Sequence, residues 1–99
     1  MRYLNFDSQA GAEGETVLEA VASTAAAQHA AVLQEAQAVL DWAQQHFADT
    51  QGALEDGHDW HHELQVWQEP GGWHAVALTL VVSPRFAEGF WAAFGAAEP

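Results

Sequence analysis

The sequence predicts an α+β domain built as ββα-ββα, in which a four-stranded antiparallel sheet carries two helices on one face. A faint copy of the first third of the chain recurs 60 residues further on, so that Leu4 and Gly11 return as Leu64 and Gly71. Both copies share one order: alternating segment, glycine turn, alternating segment, serine cap and helix. A chain of 99 residues is long enough for one such domain with a single core.

The whole chain, residues 1–99, is interpreted as a single domain. Pseudo-repeats occupy about 1–47 and 60–96, and an acidic loop at 48–59 separates them. The first repeat begins with alternating apolar and polar side chains over residues 2–7, a pattern that predicts a short strand. A glycine-containing turn then leads into the next segment.

The segment from Thr16 to Phe47 contains neither proline nor glycine, and two interpretations are open. In a βαββα fold, one long N-terminal helix would cover the segment and measure about 48 Å. A domain of this size is only about 33 Å across, so that helix would extend beyond it. Alternatively, 16–23 is a strand, and a serine or threonine cap starts a helix that ends near Phe47. The β-branched echo at 76–82 favours this second interpretation.

The second repeat contains a hairpin followed by a short helix. Residues 60–69 alternate, and Pro70 with the two glycines after it has the composition of a three-residue hairpin loop. If Glu69 faces Trp73, inward residues meet inward residues along both strands. Ser83, which precedes a proline, then caps the helix. The faces expected to be buried carry Leu4, Phe6, Leu18, Leu64, Val66, Val76, Leu78, Leu80 and Val82.

Composition argues against several classes of function. Only Arg2 and Arg85 are basic, against 14 acidic residues, and the formal net charge is −12. Nucleic-acid binding needs Lys and Arg to replace phosphate counterions, and an anionic membrane would repel the chain, so neither partner is expected. The absence of cysteine removes disulfides and thiolate chemistry and favours a cytoplasmic location. No apolar run approaches the ~18 residues of a membrane span.

One polar cluster has the residue types of a divalent-metal site. Imidazole and carboxylate side chains suit zinc, and a catalytic zinc commonly has three such ligands. The candidate ligands are Asp56, His58, Asp59, His61 and Glu63. The spacing is not that of a helical metalloprotease motif. A solvated acidic loop that runs into a strand explains the same residues, and we favour that interpretation over a zinc or small-ligand site.

The second candidate is a surface. With both helices on one side, the opposite sheet face would be open and would carry small or apolar residues, including two tryptophans. The residues expected there are Trp67, Trp73, Ala75, Ala77, Thr79 and Val81. Exposed apolar patches mark interaction sites, and tryptophan is enriched at interface hot spots. A second copy is the simplest partner, because two-fold homodimers are the commonest oligomers.

Catalysis has little support in the sequence. There is no lysine for Schiff-base chemistry, and no nucleophile elbow, P-loop or dinucleotide-binding glycine motif occurs. His29 and His74 lie among apolar neighbours, where a histidine is usually a hydrogen-bonded core residue. The leading hypothesis is therefore a non-catalytic interaction module that forms a homodimer or binds a protein partner through the open sheet face.

Overall fold

Four strands and two helices follow one another along the described part of the chain, with short helical turns between and after them. A computed structural model describes residues 2–11 and 13–95, so the chain ends included in the predicted domain lie outside the described residues. The elements are β1 (Asp7–Ala10), β2 (Thr16–Ala25), α1 (Ala26–His46), β3 (Trp60–Glu69), β4 (Trp73–Val82) and α2 (Pro84–Phe90). Within the described residues, no helix is both long enough and apolar enough to cross a membrane.

The strands form one antiparallel sheet in the order β1-β2-β4-β3. The prediction of an α+β fold with a four-stranded antiparallel sheet and two helices is therefore confirmed. Because β1 has only four residues, the longer elements follow one another as β-α-β-β-α. The segment from Thr16 to Ala25 is a strand, and α1 begins only at Ala26, so a single helix over the whole segment does not form. The expected serine or threonine cap is also absent from α1, whose N-cap is Ala25.

The duplication is not confirmed, because the two hairpins differ in register. In the first hairpin Thr16 faces Ala10. If the second hairpin repeated this register 60 residues later, Val76 would face Pro70. Instead, Val76 faces Val66. The helices also differ, with 21 residues in α1 and seven in α2.

The strand predicted over residues 2–7 is wrong except at its last residue, since β1 begins at Asp7. Glu35 of α1 explains the difference. Its carboxylate accepts hydrogen bonds at 2.9–3.0 Å from the backbone N–H groups of Arg2, Tyr3 and Leu4. Because the carboxylate binds these three groups, they are not available to a sheet neighbour. Leu4 is nevertheless buried in the core, as predicted.

The register of the second hairpin is confirmed. Glu69 faces Trp73 and Val66 faces Val76, as the three-residue loop predicts. Gly71 and Gly72 in that loop have φ values of 88° and 84°, which are rare for residues with a side chain. Ser83 caps α2 as expected, because its Oγ accepts a hydrogen bond from the backbone N–H of Phe86 at 3.2 Å.

The core lies between the sheet and the two helices. Alternate residues of β2 and β4 point into it and meet the apolar stripe of α1 and the aromatic side of α2. The fully buried large side chains are Leu4, Leu18, Val32, Val39, Trp60, Val76, Leu78, Leu80, Val82, Phe86 and Phe90. Of the residues predicted to be buried, Phe6 is only half-buried against the core. Two others are exposed: Leu64 is 40% exposed and Val66 is 50% exposed. They lie on the edge strand β3, whereas α1 packs over β2 and β4.

Candidate interaction surface

The sheet face opposite the helices is formed by the odd-numbered residues of the three long strands. Successive side chains of a strand point to opposite faces, and the even-numbered residues of β2 and β4 point into the core. All six residues predicted for this face occupy odd positions of β3 and β4: Trp67, Trp73, Ala75, Ala77, Thr79 and Val81. We call this surface the open face.

The middle of the open face is apolar and carries three large exposed side chains. Val21 of β2 is 55% exposed, Trp67 is 40% exposed and Trp73 is 49% exposed. Val21 faces Ala77 across the β2–β4 pair, and Trp67 faces Ala75 across the β3–β4 pair. These five residues are therefore neighbours, and we call them the apolar centre.

Two members of the apolar centre are less accessible than the sequence suggested. Ala75 is 1% exposed, and Ala77 is also buried, although no helix within residues 2–11 and 13–95 lies on this face. A hydrogen bond from Ser23 Oγ to Glu69 Oε1, 2.6 Å long, joins β2 to β3 across β4 beside Ala75. The larger neighbours thus shield the two alanines, and a partner would contact mainly the valine and the tryptophans.

Carboxylates surround the apolar centre. Across one end of it, Asp7 faces Glu19, and both Glu19 and Glu63 face Thr79. Glu69 lies at the other end, opposite Trp73. The chain has only two basic residues, and neither lies on these strands. The electrostatic potential of the open face is therefore negative.

Comparison of the chain with family models, curated proteins and solved structures finds no match.

Asp59, which was a candidate metal ligand, is a structural residue. Its carboxylate is buried and accepts hydrogen bonds from Arg85 Nε at 3.0 Å and from a terminal guanidinium nitrogen of Arg85 at 2.6 Å. Ser83 Oγ donates a third hydrogen bond at 2.7 Å. Hydrogen bonding to Arg85, helped by Ser83, holds the pKa of Asp59 well below its usual range although burial acts in the opposite direction. The same pair raises the pKa of Arg85.

The other four candidate ligands do not form a group of three around one point in the described part of the chain. Among the described residues, no three His, Asp or Glu side chains are arranged to hold a metal ion. His61 and Glu63 lie on the open face, as their alternation on a strand predicts. Asp56 ends a short 3₁₀ turn, and His58 Nδ1 lies 3.2 Å from the carbonyl oxygen of Ala53. A cleft of about 450 Å³ is nevertheless lined by His58, His61, Glu13, Glu15 and Glu55, among others.

Sequence reasoning missed a contact between two histidines, His29 in the first turns of α1 and His74 near the start of β4. The rings of His29 and His74 are 4.7 Å apart between centroids. His29 Nδ1 and Thr24 Oγ1 are buried and have no hydrogen-bond partner among the described residues. Thr24 faces His74 across β2 and β4, so the three side chains are close together. The apolar neighbours of each histidine were visible in the sequence, but the contact between the two rings depends on how α1 crosses the sheet.

Proposed function

We propose that this protein is a non-catalytic interaction module that binds another protein through the open face. The observation that carries the proposal is the exposure of Val21, Trp67 and Trp73 next to one another, on a face that no helix of the described residues covers. Contiguous apolar side chains of this size are costly to leave in water and are typical of binding surfaces. Tryptophan in particular contributes much of the binding energy at protein interfaces.

The charge around the apolar centre indicates the chemistry of the partner. Asp7, Glu19 and Glu63 lie on one side of it, and the whole chain carries −12. Two open faces packed together would bring like charges into contact, which opposes binding. A partner with an apolar centre and lysine or arginine around it would instead be complementary in both respects. The absence of cysteine favours a cytoplasmic setting for this encounter.

A displayed library of random peptides tests this proposal directly, because it samples many sequences at once. The immobilised wild-type protein is expected to select peptides that combine apolar side chains with lysine or arginine. Val21→Glu should lose this selection, because it places a charge in the apolar centre. Ala38→Glu adds the same charge on the exposed side of α1 and should keep it. Equal recovery of peptides by the two variants would contradict the proposal.

The cleft lined by His58 and His61 supports a second candidate function, the binding of a small ligand or a divalent metal ion. Asp59 cannot contribute while it is bound to Arg85. Calorimetric titration with zinc tests this candidate, and its binding heat should disappear in His61→Ala. If the titration shows no binding heat at micromolar zinc, metal binding at this cleft is excluded.

We also propose that the domain arose by duplication of a ββα unit. The pairing of β2 with β4 supports this, because Glu19 faces Thr79, the residue 60 positions later. Two repeats related by a two-fold axis would have such a pair on the axis. The different hairpin registers would then be a later change in the first repeat.

A further inference from the structure

The outer edge of β3 has free backbone groups over most of its length. The carbonyl oxygen of Trp60 accepts a hydrogen bond of 2.7 Å from Gly52 N–H, on the side away from β4. The carbonyl oxygen of the preceding Asp59 instead accepts one from Ser83, the residue after β4. The backbone N–H and C=O groups of successive residues in an edge strand point alternately toward the neighbouring strand and away from it. The backbone groups of the next even-numbered residues therefore also point outward. These are His62, Leu64, Val66 and Gln68.

No other group of the described residues forms a hydrogen bond with the outward backbone of these four residues. The side chains of the same edge are also exposed and apolar: Leu64 and Val66 on the helix side, and Trp67 on the open face. β3 contains no lysine, proline or bulge, which are the usual protections of an edge strand. An extended strand of suitable sequence could therefore pair with it.

We propose that this strand is β3 of a second copy, paired antiparallel about a two-fold axis at Gln65 to form a continuous eight-stranded sheet. Outward residues then pair with outward residues, so that His62 faces Gln68 and Leu64 faces Val66 of the other copy. All four free positions of each edge are used. The pairing involves a different surface from the apolar centre and does not depend on the proposed partner of the open face.

The charges on β3 select this register. With the axis at Gln65, Glu69 faces His61 of the second copy, and Glu63 faces a tryptophan. Moving one strand by two residues in one direction would place Glu63 opposite Glu69, and like charges directly opposite are destabilising. Moving it by two residues in the other direction would require the carbonyl oxygen of Trp60, which already accepts a hydrogen bond from Gly52.

The shape of the edge agrees with the same register. The second strand ends at Glu69, where Pro70 turns the chain away. Glu69 lies opposite His61 of the first copy, so the second strand ends one residue before it would reach Gln51, which pairs with Trp60. On the helix side, Leu64 and Val66 of both copies become one apolar cluster, which α1 leaves uncovered in the single chain.

Sedimentation of the full chain tests the pairing. The wild type is expected to form a dimer at micromolar concentrations, more strongly as salt screens the repulsion between two chains of charge −12. Val66→Pro removes an outward N–H but no bond to β4, and it should weaken the dimer by about a hundredfold through the loss of one hydrogen bond per copy. Ser8→Pro is the matched control on β1, because Gly11 N–H pairs with Glu15 and the even residues of β1 therefore point outward. It should leave the dimer unchanged.

A single-cysteine experiment tests the register, because the natural chain contains no cysteine. Gln65→Cys places two thiols opposite each other at a non-hydrogen-bonded pair, where the Cα atoms lie about 4.5 Å apart and a disulfide can form. In Glu63→Cys, the thiols of the two copies would instead lie four residues apart along the paired strands. Mild oxidation should therefore cross-link the first variant rapidly and the second slowly, and the reverse order would overturn the register.

The two proposals fail in different ways. Val21→Glu, which abolishes the proposed peptide selection, should leave the dimer intact. A wild type that sediments as a monomer at high micromolar concentration would overturn the pairing of two copies and leave the open-face proposal standing. Dissociation by Val21→Glu without dissociation by Val66→Pro would also overturn it, because the copies would then meet through the open face.

Discussion

The two edge strands of the sheet, β1 and β3, differ in length, in polarity and in how far they pair with the neighbouring strand. β1 has four residues, all exposed, of which three are polar, and it covers only part of the long strand β2. β3 has ten residues, presents apolar side chains on both faces, and is paired along its whole length with β4. A short polar edge does not attract other strands, whereas a long apolar edge does. The comparison indicates that β1 closes the sheet and that β3 is available for binding.

The segments that lead into the two edge strands are each held by a carboxylate, but through different partners. Glu35 binds three backbone N–H groups just before β1. Asp59 binds Arg85 and Ser83 just before β3. The first contact holds an otherwise irregular segment over the core, and the second ties the start of β3 to α2. The position of β3 therefore depends on a charged side-chain pair, and that of β1 on backbone groups.

The largest expected effect on stability distinguishes the backbone N–H groups of β3 that face β4 from those that face outward. Gln65 directs its N–H toward β4, so Gln65→Pro removes a ladder hydrogen bond and is expected to destabilise the domain by about 3 kcal/mol or more. Val66→Pro removes an N–H that no described group accepts, so the free energy of unfolding should fall by less than half as much. Urea unfolding of both variants, at a concentration below that at which the wild type associates, measures the difference.

Gln9→Pro makes the equivalent change on β1 and serves as the control for the length of the edge. Gln9 faces Val17 in a strand of only four residues, so we expect a smaller loss than for Gln65→Pro. An equal loss at the two positions would mean that both edges contribute alike to the fold, against the contrast between β1 and β3.

The next largest effect concerns the anchor of β3. Asp59→Asn removes the charge that binds Arg85 and is expected to cost about 2 kcal/mol, since a hydrogen bond to a charged group is worth ~1.5–3 kcal/mol. The Arg85 side chain is 69% exposed, and solvent screening therefore places the expectation near the lower end of that range. Asp59→Asn should also leave Ser83 in place as the α2 cap, so helix content measured by circular dichroism should not change.

The same anchor predicts a dependence of stability on pH. Because the pKa of Asp59 is lowered in the folded state, its contribution is present above the ordinary aspartate pKa of about 3.9 and is lost as the pH falls below it. The wild type and Asp59→Asn should therefore differ in free energy of unfolding at pH 7 and converge in acid. A difference that persisted unchanged at pH 2 would show that the effect does not come from the charge.

A smaller effect is expected at the anchor before β1. Glu35→Gln keeps one carbonyl oxygen but loses the charge and the second acceptor, so the free energy of unfolding should fall by about 1 kcal/mol. The three N–H groups of residues 2–4 should exchange with solvent faster, as hydrogen exchange can measure. Gln34→Glu, at the neighbouring exposed position, adds a charge without touching these groups and should not change their exchange.

These contacts also show why part of the fold could be predicted and part could not. The β3–β4 hairpin follows from alternation and from the loop chemistry of a few adjacent residues, and its register was confirmed. The strand expected over 2–7 failed because Glu35, more than 30 residues away, binds its backbone. The alternation around Leu64 correctly assigned its side of the sheet. It could not show that α1 would leave that side uncovered, because the position of a helix across a sheet depends on packing.

The smallest expected effect on the fold concerns the exposed apolar residues of the β3 edge. Leu64→Lys places a charge on the helix side of β3, where the leucine is already 40% exposed. The free energy of unfolding of the single chain should change by no more than about 0.5 kcal/mol, as is usual for surface substitutions. An edge lysine opposes strand pairing, however, so light scattering at high protein concentration should report less association than in the wild type. Ser8→Lys on β1 should change neither quantity, because that edge is already short and polar. If Leu64→Lys unfolded the domain, Leu64 would belong to the core after all, and the contrast between a closed and an available edge would have to be drawn elsewhere on the sheet.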